Sequence, residues 1–321
     1  MLYGRLMLIL LLSAAVPSAP ARNASKAKTV WSIHNVRYMR QPKPQRDWTM
    51  YRLIILPAHR MLFCYIEKVA CTSFNSLFNH IANQTVNRLK NMWLLNDWRR
   101  HRLRISDLIG YLRNESWHKA VFYRDPVDRF VSAYLSKCVP SKGYSKKGSR
   151  HCDDTFGNHS VTFGRAVEVI GQVDAVGNAH WLQQHQFCGG LKKYLSVYDT
   201  VELLEPESVN NKVKDMLGRA NIPHMSDLNA TVDQYFPQLP FESGHSDWRR
   251  GSFTNASAKA RELFPDSAIG AERLATVVRH YIEDYRIFNM TITLWQLQLL
   301  RSEGRRFEDV LQMLPYLPQF R

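Results

Sequence analysis

Two stretches of the chain repeat one pattern, in which a short apolar segment ends near a basic residue and an amphipathic segment follows. The first contains YIEKVACTSFNSLF (residues 65–78), and the second is HKAVFYRDPVDRFVSAY (residues 118–134). Strand–turn–helix units in succession predict an α/β fold, because each helix carries the chain back so that the next strand can lie parallel to the first. We therefore expect a central parallel sheet flanked by helices.

The first turn has the residue types that hold an anion at the start of a helix. Two short apolar strands are predicted around Pro57, and the second runs into the turn. Ligands of such sheets bind beyond the carboxyl ends of the strands, where free N–H groups of a helix N-terminus face the anion. Lys68 adds a point charge there, and Thr72 and Ser73 add hydroxyl groups. The run lacks the glycines of a nucleotide-binding P-loop.

The second turn offers a different cation at the equivalent position. Arg124 carries a planar, permanently charged guanidinium that suits bidentate hydrogen bonding to a phosphate. Asp125 is suited to capping the following helix, Pro126 suits its first turn, and Ser132 lies two turns further along. Two anion-binding turns in one sheet indicate a ligand with two separated anionic groups.

The N-terminal residues predict entry into the secretory pathway. Residues 1–21 contain Arg5, the apolar run Leu6–Val16 and a small-residue ending, which is the layout of a secretory signal. The apolar run is shorter than the roughly 20 residues that cross a bilayer comfortably. A cleaved signal is therefore the first interpretation, and a short type II membrane anchor stays open. Residues 22–50 are polar, basic and proline-containing, which is typical of a stem.

Sequons and cysteines agree with that compartment. Seven N-x-S/T sequons occur, at Asn23, Asn83, Asn114, Asn158, Asn229, Asn255 and Asn289. Cys64 lies in an apolar strand and Cys71 in the first turn, so both are predicted to be free thiols. At least one disulfide is expected among Cys138, Cys152 and Cys188, and their connectivity stays open. No cysteine or histidine spacing resembles a zinc site, so no metal is expected.

The chain carries 43 basic and 28 acidic residues, which give a formal net charge of +15. In the cytosol nucleic acid would be a natural partner, whereas acidic glycans and sulfated or phosphorylated small molecules are the natural partners in a lumen. No nucleic acid is expected here. Residues 86–104 mix tryptophans with arginines, and form either a solvated basic face or a rim that attracts an anionic acceptor.

Three further segments carry structural predictions. Residues 139–160 are rich in glycine, serine and lysine and are predicted to be loop. Apolar residues at helical spacing predict a helix over Ile269–Phe288. The tail after Met290 is amphipathic and is expected to pack on the domain or on a partner.

The two turns resemble the signatures of a known enzyme family. EKVACTSFNSLF and YRDPVDRFVSAY are similar to the 5′-phosphosulfate and 3′-phosphate motifs of the Golgi carbohydrate sulfotransferases, in the branch of the chondroitin 4-O- and HNK-1 sulfotransferases. Weaker similarity extends to AHWLQQHQFC (residues 179–188), VYDTVELLE (197–205) and HYIEDYRIFN (280–289). The resemblance covers approximately residues 60–290.

The resemblance implies a single P-loop-NTPase-like sulfotransferase domain at residues 51–290, followed by an amphipathic extension at 291–321. It implies an enzyme of the Golgi lumen that uses 3′-phosphoadenosine 5′-phosphosulfate without a metal; whether the enzyme is membrane-anchored, signal-cleaved or secreted stays open. Arg124 and Ser132 would hold the 3′-phosphate of this donor. The residues that would hold its 5′-phosphosulfate are Lys68, Val69, Ala70, Cys71, Thr72 and Ser73.

Two residues depart from the family pattern. Glu67 stands where the family usually has proline, and Phe74 stands where it usually has tryptophan. Glu67 is expected to point outward without a role, and the alternative is that its carboxylate weakens binding of the donor.

The acceptor hydroxyl needs a base, and histidine suits a slightly acidic lumen because its ordinary pKa is about 6.5. His180, in the family-like HW segment, is the first candidate and His245 the second. A structural histidine beneath the site is the alternative for His180.

The resemblance favours a chondroitin- or dermatan-like glycosaminoglycan as the acceptor, and a neutral N-glycan terminus stays open. A nucleotide-dependent kinase is disfavoured because the chain has no GxxxxGK[ST] run. A secreted, basic glycan-binding protein without catalysis is the second function class.

Overall fold

The computed structural model describes residues 48–83, 95, 103–140, 149–172, 177–222, 228–238 and 256–316. The predicted signal, nearly all of the predicted stem, most of the basic stretch 86–104 and His245 lie outside these ranges.

A four-stranded sheet forms the centre of the described part of the chain. Its strands, in spatial order, are β1 (Leu53–Leu56), β2 (Met61–Cys64), β3 (His118–Tyr123) and β4 (Thr200–Leu203). Strands β2, β3 and β4 are parallel, whereas β1 pairs antiparallel with β2. The α/β prediction is confirmed, with the antiparallel edge strand as its one departure from a parallel sheet. The carboxyl ends of β2 and β3 lie side by side, where Cys64 is opposite Val121.

Helices cover the sheet, and α1 follows β2 and α3 follows β3 as the repeated pattern predicts. The α-helices of the described residues are α1 (Cys71–Ile81), α2 (Ile105–Arg113), α3 (Pro126–Lys137), α4 (Arg150–Phe156), α5 (Phe163–Gly171), α6 (Leu191–Tyr194), α7 (Val209–Arg219), α8 (Leu228–Tyr235), α9 (Ala256–Leu263), α10 (Ala268–His280), α11 (Ile282–Ile287), α12 (Leu294–Ser302) and α13 (Glu308–Met313).

Aromatic packing holds α1 against the sheet. Phe74 is fully buried, and its ring centroid lies 4.4 Å from that of Phe63 on β2 and 4.9 Å from that of Phe122 on β3. One turn later Phe78 packs 4.9 Å from Phe63. Because aromatic side chains bury large areas, Phe74 anchors the start of α1 in the core even though it departs from the family pattern.

The loop prediction for residues 139–160 is wrong for Arg150–Phe156, which form α4. This helix begins after Ser149, whose hydroxyl accepts a hydrogen bond from the N–H of His151. It ends at Gly157 in the left-handed conformation (φ 75°), which glycine adopts without steric cost. The sequence of the segment therefore contains residues that cap both ends of a short helix, although its many polar residues suggest a loop.

The apolar stripe Ile269–Phe288 forms two helices in succession. The backbone leaves helical geometry at Tyr281 (φ −102°, ψ 17°), whose hydroxyl donates to the carbonyl oxygen of Trp181 at 2.8 Å. The tail after Met290 forms α12 and α13, which contact α10 and therefore pack on the domain. Its buried side chains include Leu299, Phe307, Leu311 and Leu314.

Two disulfides revise the thiol predictions. Cys64 is predicted to be free, but it is bonded to Cys188, and Cys138 is bonded to Cys152. The sequence does not predict the first pair, because 124 residues separate its members and an apolar strand suits a buried thiol equally well. The expected bridge among the other cysteines is confirmed, and Cys71 is free as predicted.

Candidate active site

The first turn, residues 65–70, joins the end of β2 to α1. Lys68 and Ala70 have left-handed backbone conformations (φ 69° and 48°), which residues other than glycine seldom adopt. Backbone strain of this kind concentrates at ligand sites. The first N–H groups of an α-helix have no partner within the helix, so α1 offers those of Cys71, Thr72 and Ser73 at the end of the sheet. Val69 and Ser73 are buried, and the other predicted residues of this turn are half-buried.

The second turn meets the first. Arg124 is buried, and its Nη1 donates to the carbonyl oxygen of Lys68 at 3.3 Å. Gln184 fixes the backbone of Arg124 by accepting from its N–H at 3.0 Å and donating to its carbonyl at 2.8 Å. Asp125 caps α3 as predicted, because its side chain accepts from the N–H of Asp128. The structure thus brings together the two turns that the sequence predicts to serve one ligand.

Positive charge is concentrated around Lys68. Burial lowers the pKa of Lys68 to about 8; the Cys71 thiol raises it, and the cations of Lys137, Arg124 and Arg129 lower it. A lysine held among other cations is stabilised in its charged form by a bound anion. The arrangement therefore favours an anionic ligand at the first turn.

The expectation that Glu67 points outward is wrong. Its side chain is buried and paired with Arg52, whose Nη1 lies 2.5 Å from Oε1 and also donates to the Tyr65 hydroxyl at 2.5 Å. The other oxygen of Glu67, Oε2, is buried without a hydrogen-bond partner among the described residues. Burial raises the pKa of Glu67, and Arg52 opposes this shift. The carboxylate turns inward because Arg52 supplies a counter-charge there.

Arg52→Met is expected to lower the free energy of unfolding by about 2–4 kcal/mol, somewhat less than for a fully buried pair, because it leaves the buried Glu67 carboxylate without its counter-charge although Arg52 itself is 26% exposed. The double variant Arg52→Met/Glu67→Gln is expected to recover much of this loss, since it also removes the buried carboxylate. Urea unfolding measures both effects. Arg279→Met is the matched control, because the Arg279–Asp309 pair is exposed (40% and 51%) and such pairs contribute at most about 1 kcal/mol. Equal losses in the single and double variants would contradict the ion-pair account.

Arg129 fastens the first turn to the segment 179–188. Its Nε donates to the carbonyl of Glu67 at 2.9 Å, its Nη1 to that of Leu182 at 2.6 Å, and its Nη2 to that of Ala179 at 3.0 Å. The side chain is almost fully buried. Because backbone carbonyls occupy its guanidinium, Arg129 positions the turn.

Helix α11 and a disulfide hold the same segment from the other side. The buried carboxylate of Asp284 accepts hydrogen bonds from the backbone N–H groups of Gln184 and His185, both at 2.8 Å. It also lies 2.8 Å from His185 Nδ1. The bridge from Cys64 to Cys188 ties the end of the segment to β2. The segment that carries His180 is therefore fixed at several points beside the two turns.

His180 lies among cations. Its Nδ1 is buried and has no hydrogen-bond partner in the part of the chain that the structure describes. Burial lowers its pKa well below the ordinary value. The groups that lower this pKa further are Lys137, His151, Lys68 and Arg129. The ring is consequently neutral in a slightly acidic solution, which is the form that can accept a proton.

The structure does not test two of the site predictions. Ser132 is buried on α3, and its role in holding the 3′-phosphate stays a prediction. His245 lies outside the described residues. Within the described ranges, no group of three or more histidine, cysteine, aspartate or glutamate residues could hold a metal ion.

Several residues of this region carry no prediction from the sequence. Arg129, Gln184 and Asp284 lie in the stretches that resemble the family, and that resemblance is the signal that could have found them. Lys137 and His151 lie outside those stretches, and their proximity to His180 depends on the packing of α3 and α4.

The model of the sulfotransferase family matches residues 51–290. Carbohydrate sulfotransferase 14 of Mus musculus is 25% identical over 183 residues, which are 52% of this chain and 47% of the relative. Carbohydrate sulfotransferase 9 of Homo sapiens is 26% identical over 265 residues, which are 76% of this chain and 54% of the relative. The chain spans about half the length of the curated relatives it matches. No solved structure gives a significant match.

Proposed function

Because the chain belongs to the sulfotransferase family, we propose that it is a carbohydrate O-sulfotransferase whose donor is 3′-phosphoadenosine 5′-phosphosulfate. The observation that carries the proposal is the contact between the two turns, in which Arg124 Nη1 donates to the Lys68 carbonyl at 3.3 Å. The turns follow neighbouring parallel strands, so one nucleotide with anionic groups at both ends can reach each of them. When bound, the donor supplies the activated sulfuryl group.

Lys68 and Arg124 have separate roles in this proposal. Lys68, with the N–H groups at the start of α1, stabilises the charge that develops on the 5′-phosphate as its bridging oxygen separates from sulfur. Arg124 and Ser132 hold the 3′-phosphate and thereby set the position of the whole nucleotide. The burial of Arg124 and the cations around Lys68 support these roles, because both strengthen interaction with an anion.

His180 is the proposed base. It accepts the proton of the sugar hydroxyl while the hydroxyl oxygen forms its bond to sulfur, and adenosine 3′,5′-bisphosphate leaves with the bridging oxygen. The lowered pKa of His180 supports this role, because the ring stays neutral at the pH of the lumen.

The acceptor is proposed to be a chondroitin- or dermatan-like glycosaminoglycan, because a net charge of +15 suits a polyanionic chain. Labelled-sulfate transfer onto a panel of desulfated glycosaminoglycans, with disaccharide analysis, identifies the sugar and position. Transfer to a neutral N-glycan alone would contradict this part of the proposal.

The second candidate is a basic glycan-binding protein without catalysis, which the net charge of +15 also suits. Retention on immobilised adenosine 3′,5′-bisphosphate separates the two. The enzyme is expected to be retained, with loss on Arg124→Ala and no loss on the exposed control Arg279→Ala. A pure glycan binder would pass through this resin and still bind heparin.

The proposed compartment is the lumen of the secretory pathway, with the Golgi as the site of action. Two disulfides support it, and so do the sequon asparagines of the described residues, which are all exposed. At Asn114 and Asn158 the side-chain oxygen accepts from the backbone N–H of the sequon serine, at 2.9 and 3.2 Å. Among the described residues every helix is too short or too polar to cross a bilayer.

When mammalian cells express the protein, we therefore expect it to carry N-glycans, whether it is secreted or retained. Treatment with peptide N-glycosidase F is expected to lower its mass on a gel, and Asn114→Gln and Asn158→Gln are each expected to remove the increment of one glycan. Asn178→Gln is not a suitable control because this residue is buried; Asn221→Gln, at an exposed asparagine outside any sequon, is expected to change nothing. A mass that peptide N-glycosidase F leaves unchanged would contradict the proposed lumenal location.

A further inference from the structure

The rings of His151 and His180 pack edge to face beside the candidate site, with centroids 4.4 Å apart and an interplanar angle of 84°. Asn178 links the two backbones: its Nδ2 donates to the His151 carbonyl at 3.2 Å and its Oδ1 accepts from the His180 N–H at 3.1 Å. The disulfide from Cys152 to Cys138 ties α4 to the end of α3. The two rings are therefore held together by fixed elements.

The orientation of the His180 ring depends on the rings packed against it. The orientation of a working histidine is commonly set by a hydrogen bond to its second ring nitrogen. His180 Nδ1 has no such partner among the described residues. The rings in contact with it are those of His151 at 4.4 Å and Trp181 at 6.0 Å between centroids. Of these two, His151 makes the closer contact and stands exposed at the surface.

We propose that His151 is a positioning residue for sulfuryl transfer, whose ring fixes the imidazole of His180 towards the acceptor hydroxyl. This inference rests on the proposed role of His180 as the base. His151 lies outside the two donor turns, so its effect is expected on turnover and not on binding of the donor.

The pair is also coupled through charge. Partial burial of the His151 ring and near-complete burial of the His180 ring lower the pKa of each; Lys137 lowers both further, whereas Asp154 opposes the shift of His151. The charged or titratable groups around His180 are Lys68, Arg129, Lys137 and His151, and those around His151 are Arg52, Lys137, Arg150, Asp154 and His180. Two imidazolium rings at this separation repel each other, so protonation of His151 disfavours protonation of His180.

Two substitutions separate the ring contact from the charge. His151→Ala removes both, and it is expected to lower kcat about tenfold to a hundredfold, as loss of alignment does, with the KM for the donor unchanged. His151→Phe keeps an aromatic ring and is expected to retain kcat within about threefold of the wild type. In both variants the acidic limb of the pH profile is expected at higher pH, because a neighbouring cation is lost. His159→Ala, an exposed histidine beyond α4, is the control and is expected to behave as the wild type.

The full chain labelled with ¹³C-histidine gives a second readout that does not need activity. The His180 resonance, assigned by its loss in His180→Asn, is expected to titrate at higher pH in both His151 variants. Unchanged turnover in a folded His151→Ala would overturn the proposal, whatever the His180 titration shows. If the His180 titration shifts in the His151 variants but the wild type transfers no sulfate, the charge coupling between the two rings is supported and the proposed function is refuted. If His151→Ala fails to fold, His151→Leu, which keeps apolar volume without a planar ring, takes its place, and wild-type turnover in that variant overturns the proposal.

Discussion

Lys68→Met is expected to lower kcat for sulfuryl transfer about 10²–10³-fold, the range found when one preorganised donor to a developing charge is removed. Methionine keeps most of the apolar length of the side chain, so the half-buried turn retains its packing. The ammonium is lost, and with it the charge that faces the leaving phosphate in the proposed site. Single-turnover transfer of labelled sulfate measures the chemical step directly.

The pH dependence of the wild type adds a second test of Lys68. Since burial lowers the pKa of this lysine to about 8, its positive charge is present below that pH and lost above it. The kcat/KM for the donor, which reports the free enzyme, is therefore expected to fall as the pH rises through about 8. Lys68→Met is expected to lack this limb. The control is Lys192→Met, since Lys192 is exposed (65%). Wild-type turnover in a folded Lys68→Met would contradict the site.

His180→Asn is expected to lower kcat about 10²–10⁴-fold, the usual contribution of a positioned general base. Binding of adenosine 3′,5′-bisphosphate is expected to stay unchanged, because the proposed donor contacts lie in the two turns. Asparagine is polar and occupies a similar width near Cβ, so it disturbs the surrounding segment less than alanine does. Fluorescence titration with the nucleotide measures its Kd, and steady-state sulfate transfer measures kcat, so the two effects can be compared.

The pH dependence of kcat tests which protonation state of His180 is active. Its pKa lies well below the ordinary value, and the neutral ring is the active form. Wild-type kcat is therefore expected to hold at slightly acidic pH and to fall only as the pH drops through that lowered pKa. Loss of folding in His180→Asn would favour a structural histidine, and a folded variant with full turnover would remove His180 from the mechanism.

The sequence predicts the elements that carry the site because their signals are local. An apolar run that ends at Lys68 or at Arg124 defines a strand, a turn and a helix within a few residues. The adjacency of the two turns follows from the parallel pairing of β2 with β3. The left-handed backbone of Lys68 and Ala70 has no such signal, since neither residue favours that conformation intrinsically.

Long-range partners are the part that local patterns do not predict. Cys64 pairs with a cysteine 124 residues away, and Glu67 turns inward towards Arg52, which lies before β1. The prediction for Glu67 assumes that a carboxylate beside a cationic turn prefers solvent, and a buried counter-ion reverses that preference. Arg129 likewise satisfies carbonyls from two separate segments, which no spacing reveals.

A crystal structure of the protein with adenosine 3′,5′-bisphosphate tests the pairing of the two turns most directly. We expect a single nucleotide with its 5′-phosphate beside Lys68 and the start of α1 and its 3′-phosphate beside Arg124. A nucleotide bound elsewhere, or with only one of its phosphates at these turns, would contradict the account.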